Sequence, residues 1–337
     1  MAVADRAFLS IYAEAVVARL ADLSDAALAT VSEEVIRRPE RWRPALRRAV
    51  DSGLENRRHA ATLLEAIGTE ADIHRLRDAS RALRGSSGSP LGRRLIRRLA
   101  PRAWIEDLGR VEIRLGEEVI DGSRIRRKVL ALLCLLLTRP RFSASREEVL
   151  ERLWPDLDPE TALNSLNQTV YFLRRVFEPA YKEDVSPGYV AQDTETVWLD
   201  SELLNSRSNT CQMLIRSLGA MPTPDQVLDL ARQYRGRFAL DFAYDEWASI
   251  FRDGLHASYL RVVETSLRAE ISSGNYTRGI LLAERALETD PESDDLQASL
   301  VRLYRIAGVH AAAAERYSHY ADTLRDLGVE PPQLQDV

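Results

Sequence analysis

The chain has 337 residues, 45% hydrophobic and 29% charged with a net charge of −5, a composition that supports buried cores in two or three domains and excludes a solvated tail. Its longest unbroken apolar run, Val129 to Leu137, is nine residues, about half of a membrane span. No basic segment leads into an apolar core at the start, so no anchor or leader is expected and a cytoplasmic protein is predicted. Cys134 and Cys211 are the two cysteines, too few for a disulfide framework or a cysteine-based zinc site.

The net charge divides unevenly, at +5 over residues 1–110, −4 over 111–200 and −6 over 201–337. Residues 5–84 read as about four short amphipathic helices, broken near Leu23-Ser24, Arg38-Pro39, Gly53 and Gly68. The stretch Arg57 to Ala79 has the helix, tight turn and helix rhythm of HEAT-like hairpins, without a clear repeat period. Residues 79–105 then hold seven arginines (Arg81, Arg84, Arg93, Arg94, Arg97, Arg98 and Arg102) and no acid, around Gly-Ser-Ser-Gly-Ser-Pro at 85–90. That pattern fits an arm touching phosphates or an acidic partner, and equally a solvated linker beside an amphipathic helix.

After this boundary the period changes. Val111, Ile113 and Leu115 alternate with Glu112 and Arg114, and Gly116-Glu117-Glu118 leads to Val119-Ile120, the pattern of a strand, a turn and a short strand. A strongly apolar helix is predicted from about Ile125 to Thr138. Ser145-Arg-Glu-Glu148 reads as a capping box opening a helix that ends at Trp154-Pro155. Asp158 can cap the next helix, Pro159 suits its first turn, and Pro179 forbids its continuation much beyond Phe177. Pro187-Gly-Tyr-Val190 and Thr196-Val-Trp-Leu199 are β-rich pieces suited to a hairpin.

Two short strands, three helices and a terminal hairpin form the order of a winged helix-turn-helix, whose third helix enters the major groove. With Leu163 at zero and 100° per residue, Leu163, Leu166, Val170, Leu173 and Phe177 cluster on one side, and Asn164, Gln168, Tyr171 and Arg175 on the other. Asn and Gln can pair with adenine edges and Arg with guanine or phosphate. Asn167 and Arg174 on the same helix join the candidate DNA contacts, with Arg126, Arg127 and Lys128 as phosphate neutralisers. Further on, Gly274 and Gly308 are 34 residues apart, the tetratricopeptide period, and Tyr276, Ala286, Leu287 and Pro291, then Ala313 and Tyr317, keep the register. Stacked helical hairpins are expected from about Asp225 to Gly328.

The run Ser145 to Pro155 with Asp158, Ala162, Asn164, Leu166, Gln168, Val170, Leu173-Arg-Arg175 and Pro187-Gly188-Tyr189 resembles the winged helix of SARP-type (antibiotic regulatory protein) activators. Tyr234-Arg-Gly-Arg-Phe238, Leu240, Asp245-Glu-Trp247, Arg252 and Leu255 resemble the opening of the bacterial transcriptional activator domain that follows it in that family. The resemblance covers about residues 108–332. It adds Gly188 and Tyr189 to the candidate DNA contacts, and implies double-stranded DNA and RNA polymerase as partners and a homodimer on DNA.

The expected architecture is mainly α: a helical-hairpin region at 1–84, an Arg-rich linker at 85–107, a winged helix at 108–200 and a TPR-like repeat domain at 201–337. Two features depart from the family pattern. The wing, Lys182 to Asp200, has one base against Glu183, Asp184, Asp193, Glu195 and Asp200, and Phe172 falls on the outward side of the reading helix. These leave open a second function class, an adaptor with helical repeats at both ends and a degenerate winged helix between them. No phosphate loop, paired metal ligands or activated nucleophile is visible, so neither an enzyme nor a bound cofactor is expected.

Overall fold

In the computed structural model, residues 11–52, 56–83, 91–219, 222–326 and 328–334 are described, without the side chain of Asp184. They form two compact units: residues 1–101 with 178–189, and residues 102–177 with 190–337. The break expected at Gly53 and the Gly/Ser/Pro stretch with Arg84 lie outside the described residues.

The first unit is built from α1 (Asp25–Arg37), α2 (Pro39–Ser52), α3 (Arg57–Ile67), α4 (Asp72–Ala82) and α5 (Arg93–Leu99). Ser24 caps α1 by accepting from the Ala27 amide, and Pro39 opens α2 where its missing N–H costs nothing. One face of each helix feeds a core containing Leu20, Val35, Trp42, Leu46, Leu64, Leu76 and Leu95. Into the α3–α4 turn the sequence places a carboxylate with no exposed surface. Asp72 accepts from Arg47 Nε and Nη2 at 2.7 and 2.8 Å, from Arg75 Nη1 at 2.7 Å and from the Thr69 amide at 2.9 Å. Burial pushes its pKa up, but the hydrogen bonds from Arg47 and Thr69 outweigh that and hold it at about 2.

The second unit opens with β1 (Ala103–Glu106), β2 (Glu112–Leu115) and β3 (Glu118–Asp121), joined later by β7 (Leu204–Ser206) in a sheet of order β3-β2-β1-β7. β2 and β3 are the strand, turn and strand expected. β1 and β7, which pair in parallel, were not legible, because each is only three or four residues long and lacks a full alternation. The apolar helix α6 (Arg127–Leu137) follows, with every residue from Val129 to Leu137 buried. β4 (Ser143–Ser145), α7 (Arg146–Leu153) and α8 (Pro159–Phe177) complete the helix-turn-helix, and β5 (Val190–Gln192) and β6 (Thr196–Leu199) form the wing in a sheet of order β4-β6-β5. Ser145 Oγ accepts from the Glu148 amide at 3.1 Å, half of the capping box. The Glu148 carboxylate is instead paired with Arg139 at 2.8 Å, since Ser145 also belongs to the sheet through its register with Thr196.

Behind the wing come α9 (Arg207–Ser217), α10 (Pro224–Gln233), α11 (Glu246–Ser272), α12 (Tyr276–Leu287), α13 (Asp294–Ile306) and α14 (His310–Asp326). Gly274 and Gly308 both take positive φ, +73° and +76°, and close α11 and α13 with the same backbone hydrogen bonds. The 34-residue spacing thus marks two copies of one helix-hairpin turn. Gly279 fixes the closeness of the stack, because a Cβ there would lie 2.9 Å from Leu303 of α13. His256 is buried: its Nδ1 meets the Tyr234 hydroxyl at 2.9 Å and its Nε2 meets Asp290 at 2.9 Å. Among the described residues no helix is long and apolar enough to cross a membrane.

A backbone seam joins winged helix and repeats. Gly109 N donates to Arg237 O, Ala239 N to Asp107 O and Leu240 N to Gly109 O, all at 2.8 Å, and Val111 N donates to Asp241 Oδ2 at 2.8 Å. Arg252, 6% exposed, donates to the carbonyls of Phe238, Phe242 and Ala243 and holds the loop in shape. Asp107 is wholly buried and accepts from the Ser208 amide at 2.8 Å and its hydroxyl at 2.6 Å. Burial pushes its pKa up to about 6 against the pull of those bonds.

Two stability predictions follow from these carboxylates. Asp72→Ala leaves Arg47 and Arg75 without their shared anion and is expected to cost about 2–3 kcal/mol, below the full penalty for a buried pair because both arginines still reach water. Its contribution is present above the ordinary carboxylate value of 3.8 and is lost as pH falls through about 2, which urea titrations across that range will show. Asp107 has the opposite sign. A raised folded pKa gives stability that is full below 3.8 and lost as pH rises through about 6. Asp107→Asn should therefore flatten the fall in melting temperature between about pH 4 and pH 7 seen in the parent chain.

Candidate nucleic-acid interface

Helix α8 gets its orientation from its buried side. Ala162, Leu166, Thr169, Val170, Leu173 and Phe177 are buried, and α8 packs against α6, α7 and β5. Asp158 Oδ1 accepts from the Thr161 amide at 3.0 Å and fixes the start of the helix. Leu163, expected in the apolar stripe, is 38% exposed. At 100° per residue the buried positions centre about 70° from Leu163, so its first-turn position lies at the stripe's edge, and Ala162 and Thr169 take the inward places.

On the other side Asn164, Asn167, Gln168, Tyr171 and Arg175 are all exposed, Tyr171 by 44%. The Arg175 guanidinium lies 6.0 Å from the Tyr171 ring centroid. Asn167 is oriented by a neighbour that the sequence reading passed over. Arg146, at the start of α7, donates from Nη2 to Asn167 Oδ1 at 2.6 Å and from Nη1 to the Asp193 carbonyl of the wing turn at 3.2 Å. One guanidinium thus ties the reading helix to the wing tip. Its only sequence signal was its place directly after the Ser145 cap.

The acids of the wing tip have local duties. Asp193 Oδ1 accepts from the amides of Glu195 and Thr196 at 2.8 and 2.7 Å, closing the β5–β6 turn, and those bonds hold its pKa below the ordinary value. Asp200 Oδ1 accepts from the Glu202 amide at 3.0 Å. Asp193 is thereby held as a carboxylate, so the wing turn offers phosphates little attraction.

The expected phosphate neutralisers are largely engaged within the protein. Arg126 lies 4.0 Å from the Phe172 ring centroid, which explains why an outward-placed Phe is half-buried: a guanidinium covers it. Arg127 pairs with Asp245 at 2.7 Å, bridging to the repeat domain. Lys128 Nζ donates to the Leu153 carbonyl and lies 5.7 Å from the Trp154 ring, closing the C-terminus of α7. Arg174 Nε donates to the Val190 carbonyl at 3.1 Å, at the root of the wing. Arg126, Arg127 and Lys128 are nevertheless exposed, so each can present part of its charge to solvent.

Gly188 and Tyr189 belong to the first unit. Gly188 has φ +88° and its amide donates to Ser186 Oγ at 3.0 Å. Tyr189 is 1% exposed and its hydroxyl donates to the Pro101 carbonyl. It fastens the segment before the wing and has no face left for a nucleic acid, a correction to its sequence assignment. The motif is conspicuous in sequence because the packing needs it.

The bacterial transcriptional activator domain family matches residues 210–336. The regulatory protein AfsR of Streptomyces coelicolor is 27% identical over 242 residues, 70% of this chain and 23% of that protein, so the chain spans about a quarter of the relative's length. A structure of Mycobacterium tuberculosis EmbR in complex with a low-affinity phosphopeptide superposes with a TM-score of 0.50 at 17% identity, over 70% of this chain and 63% of that one, a likeness of fold. The SARP-type resemblance read from the sequence and the mainly α architecture are supported by these comparisons. Residues 210–336 match the bacterial transcriptional activator domain, and the winged helix ahead of them gives the chain an order that resembles the SARP-type arrangement.

Proposed function

We propose that the chain is a DNA-binding transcriptional regulator, an activator that reads promoter DNA with α8 and offers its repeat domain to RNA polymerase. The observation that carries the reading is the solvent-open face of α8, where Asn164, Asn167, Gln168, Tyr171 and Arg175 stand opposite a fully packed side. Amide side chains there can pair with adenine edges, Arg175 can reach guanine or phosphate, and Tyr171 can contact a thymine methyl. The similarity to a regulatory protein and the activator-domain match support the same class. Two copies on one DNA site would double the contact, as dimeric winged helices do.

A second reading, an adaptor without DNA affinity, draws on the acidic wing, where Asp193, Glu195 and Asp200 lie on or beside β5 and β6. Binding to duplexes selected by the full-length protein from a random pool separates the two. The regulator reading expects affinity for the selected sequence that falls steeply with salt. Asn164→Ala with Gln168→Ala should remove about 2–4 kcal/mol of it while sparing affinity for random duplex. Equal affinity for both duplexes in the parent chain would leave the adaptor. Arg146→Ala should lower specific affinity about tenfold through loss of the Asn167 and wing-turn bonds, with a melting temperature reduced by only a few degrees.

A further inference from the structure

Helix α11, inside the activator-domain match, runs for 27 residues, about 40 Å. One side of it, with Trp247, Leu255, Tyr259 and Val263, is buried. The other side carries an exposed stripe with a marked order of charge. The acids Glu246 and Asp253 stand in its N-terminal half, Ile250, Gly254 and Ala257 near its middle, and Arg261 and Arg268 in its C-terminal half. At 100° per residue all of these fall within an arc of about 100°. Ile250 is 74% exposed.

The stripe is not compensated within the chain. The side chains of Glu246 and Arg261 have no hydrogen-bond or ion-pair partner among the described residues. Arg268 donates from Nε to the Glu264 carbonyl of its own helix at 3.3 Å, and Asp253 lies 3.7 Å from Arg237 with both groups well exposed. Gly254 sits inside the helix, where glycine is a poor helix former, yet a Cβ there would meet nothing within 4 Å. A glycine that breaks a local rule without an internal packing reason fits a close approach from outside.

The positions of the charges identify what approaches. Asp253 and Arg261 lie four residues to either side of Ala257, and Glu246 and Arg268 lie eleven to either side. Read in reverse about Ala257, the stripe exchanges each of these acids for a base. A two-fold axis at Ala257 therefore lays the helix antiparallel to its own copy, with Asp253 facing Arg261 and Glu246 facing Arg268, each pair formed twice. The half-buried Glu264 falls opposite Ile250 and is the one charge of the stripe without a counterpart. An unrelated partner would not require this symmetry. Isolated exposed ion pairs contribute little, so the charges set direction and register while Ile250, Gly254 and Ala257 supply the close contact.

We propose that two copies of the chain pair in solution through the outer stripe of α11, antiparallel about a two-fold axis at Ala257. The pairing belongs to the repeat domain and does not rest on the regulator reading.

Sedimentation equilibrium of the full chain should show a reversible dimer that weakens as salt is raised. Asp253→Arg and Arg261→Asp each turn two ion pairs into like-charge contacts, and each should weaken the dimer at least about tenfold at the parent's melting temperature. Mixed in equal amounts, these two variants should associate about as tightly as the parent, because one copy then carries bases at both positions and the other acids. The double variant Asp253→Arg/Arg261→Asp should likewise recover the homodimer. Ala257→Glu, which sets two acids against each other at the axis, is an independent probe and should also weaken association. A parent chain that stays monomeric at its highest soluble concentration in low salt would overturn the proposal, as would a dimer indifferent to both single reversals or a mixture of them that fails to recover. Sequence-selective DNA binding by a monomeric parent would leave the regulator reading standing, and a charge-swappable dimer without DNA affinity would remove that reading and keep this one.

Discussion

A helix that is apolar all the way round has to be covered on every side, and α6 imposes that demand on the second unit. All nine residues from Val129 to Leu137 are buried, each large side chain among them favouring burial by about 1.5–3 kcal/mol. No single neighbour can cover such a surface. Helices α7 and α8, strands β4 and β6 and the long repeat helix α11 all pack against it. Helix α8 is consequently oriented by its contact with α6, and its polar side is outward because the other side is already used. The same constraint recruits the repeat domain to the winged helix: α11 is both a wall of the α6 core and the start of the helical hairpins.

Cations near the site divide by what the nearest neutral or negative surface requires. Arg126 covers a half-buried aromatic ring, Lys128 closes a helix C-terminus, Arg127 crosses to Asp245 and Arg174 binds a strand carbonyl. The exposed ion pair of Arg127 with Asp245 contributes little by itself, as isolated pairs in water do. Their value lies in geometry, with long side chains tying together elements that meet around α6 and α8. Arg146 is the clearest case, since one planar group with several donors in a fixed fork can bond the helix and the wing turn together.

What could be read from the sequence followed the physical range of each signal. Periodicity and caps act within a few residues, so α6, α7, α8, the β2–β3 hairpin and the wing strands were legible, and the 34-residue spacing announced the two glycine-closed hairpins. Signals that depend on distant partners were not. β1 exists as a strand because residues about a hundred positions later pair with it as β7. Asp107 and Arg252 are ordinary surface residue types until the seam encloses them. At the interface the outward face was legible from helical geometry alone, while the roles of Arg126, Arg127 and Lys128 were hidden because their neighbours Phe172, Asp245 and Leu153 come from other elements. Tyr189 misled for a related reason: a motif marks a requirement, and here the requirement is a buried hydroxyl on Pro101.

The seam and the wing are held in place by different kinds of bond within the second unit. Residues 107–111 and 237–241 are joined through backbone donors and acceptors, and Arg252 braces the loop from below. Backbone hydrogen bonds of this kind depend on conformation more than on side-chain identity, so sequence drift in either domain leaves the joint in place. The repeats are therefore tied to the β1–β2 loop largely through main chain. The helix-to-wing segment, residues 178–189, is held differently, because it belongs to the first unit and is fastened there through Tyr189 and Arg97. The wing strands must then take their register from pairing with β4, and the wing turn its position from Asp193 and Arg146. The β4–β6 ladder and the Arg146 bridge are thus what keep the wing aligned with α8.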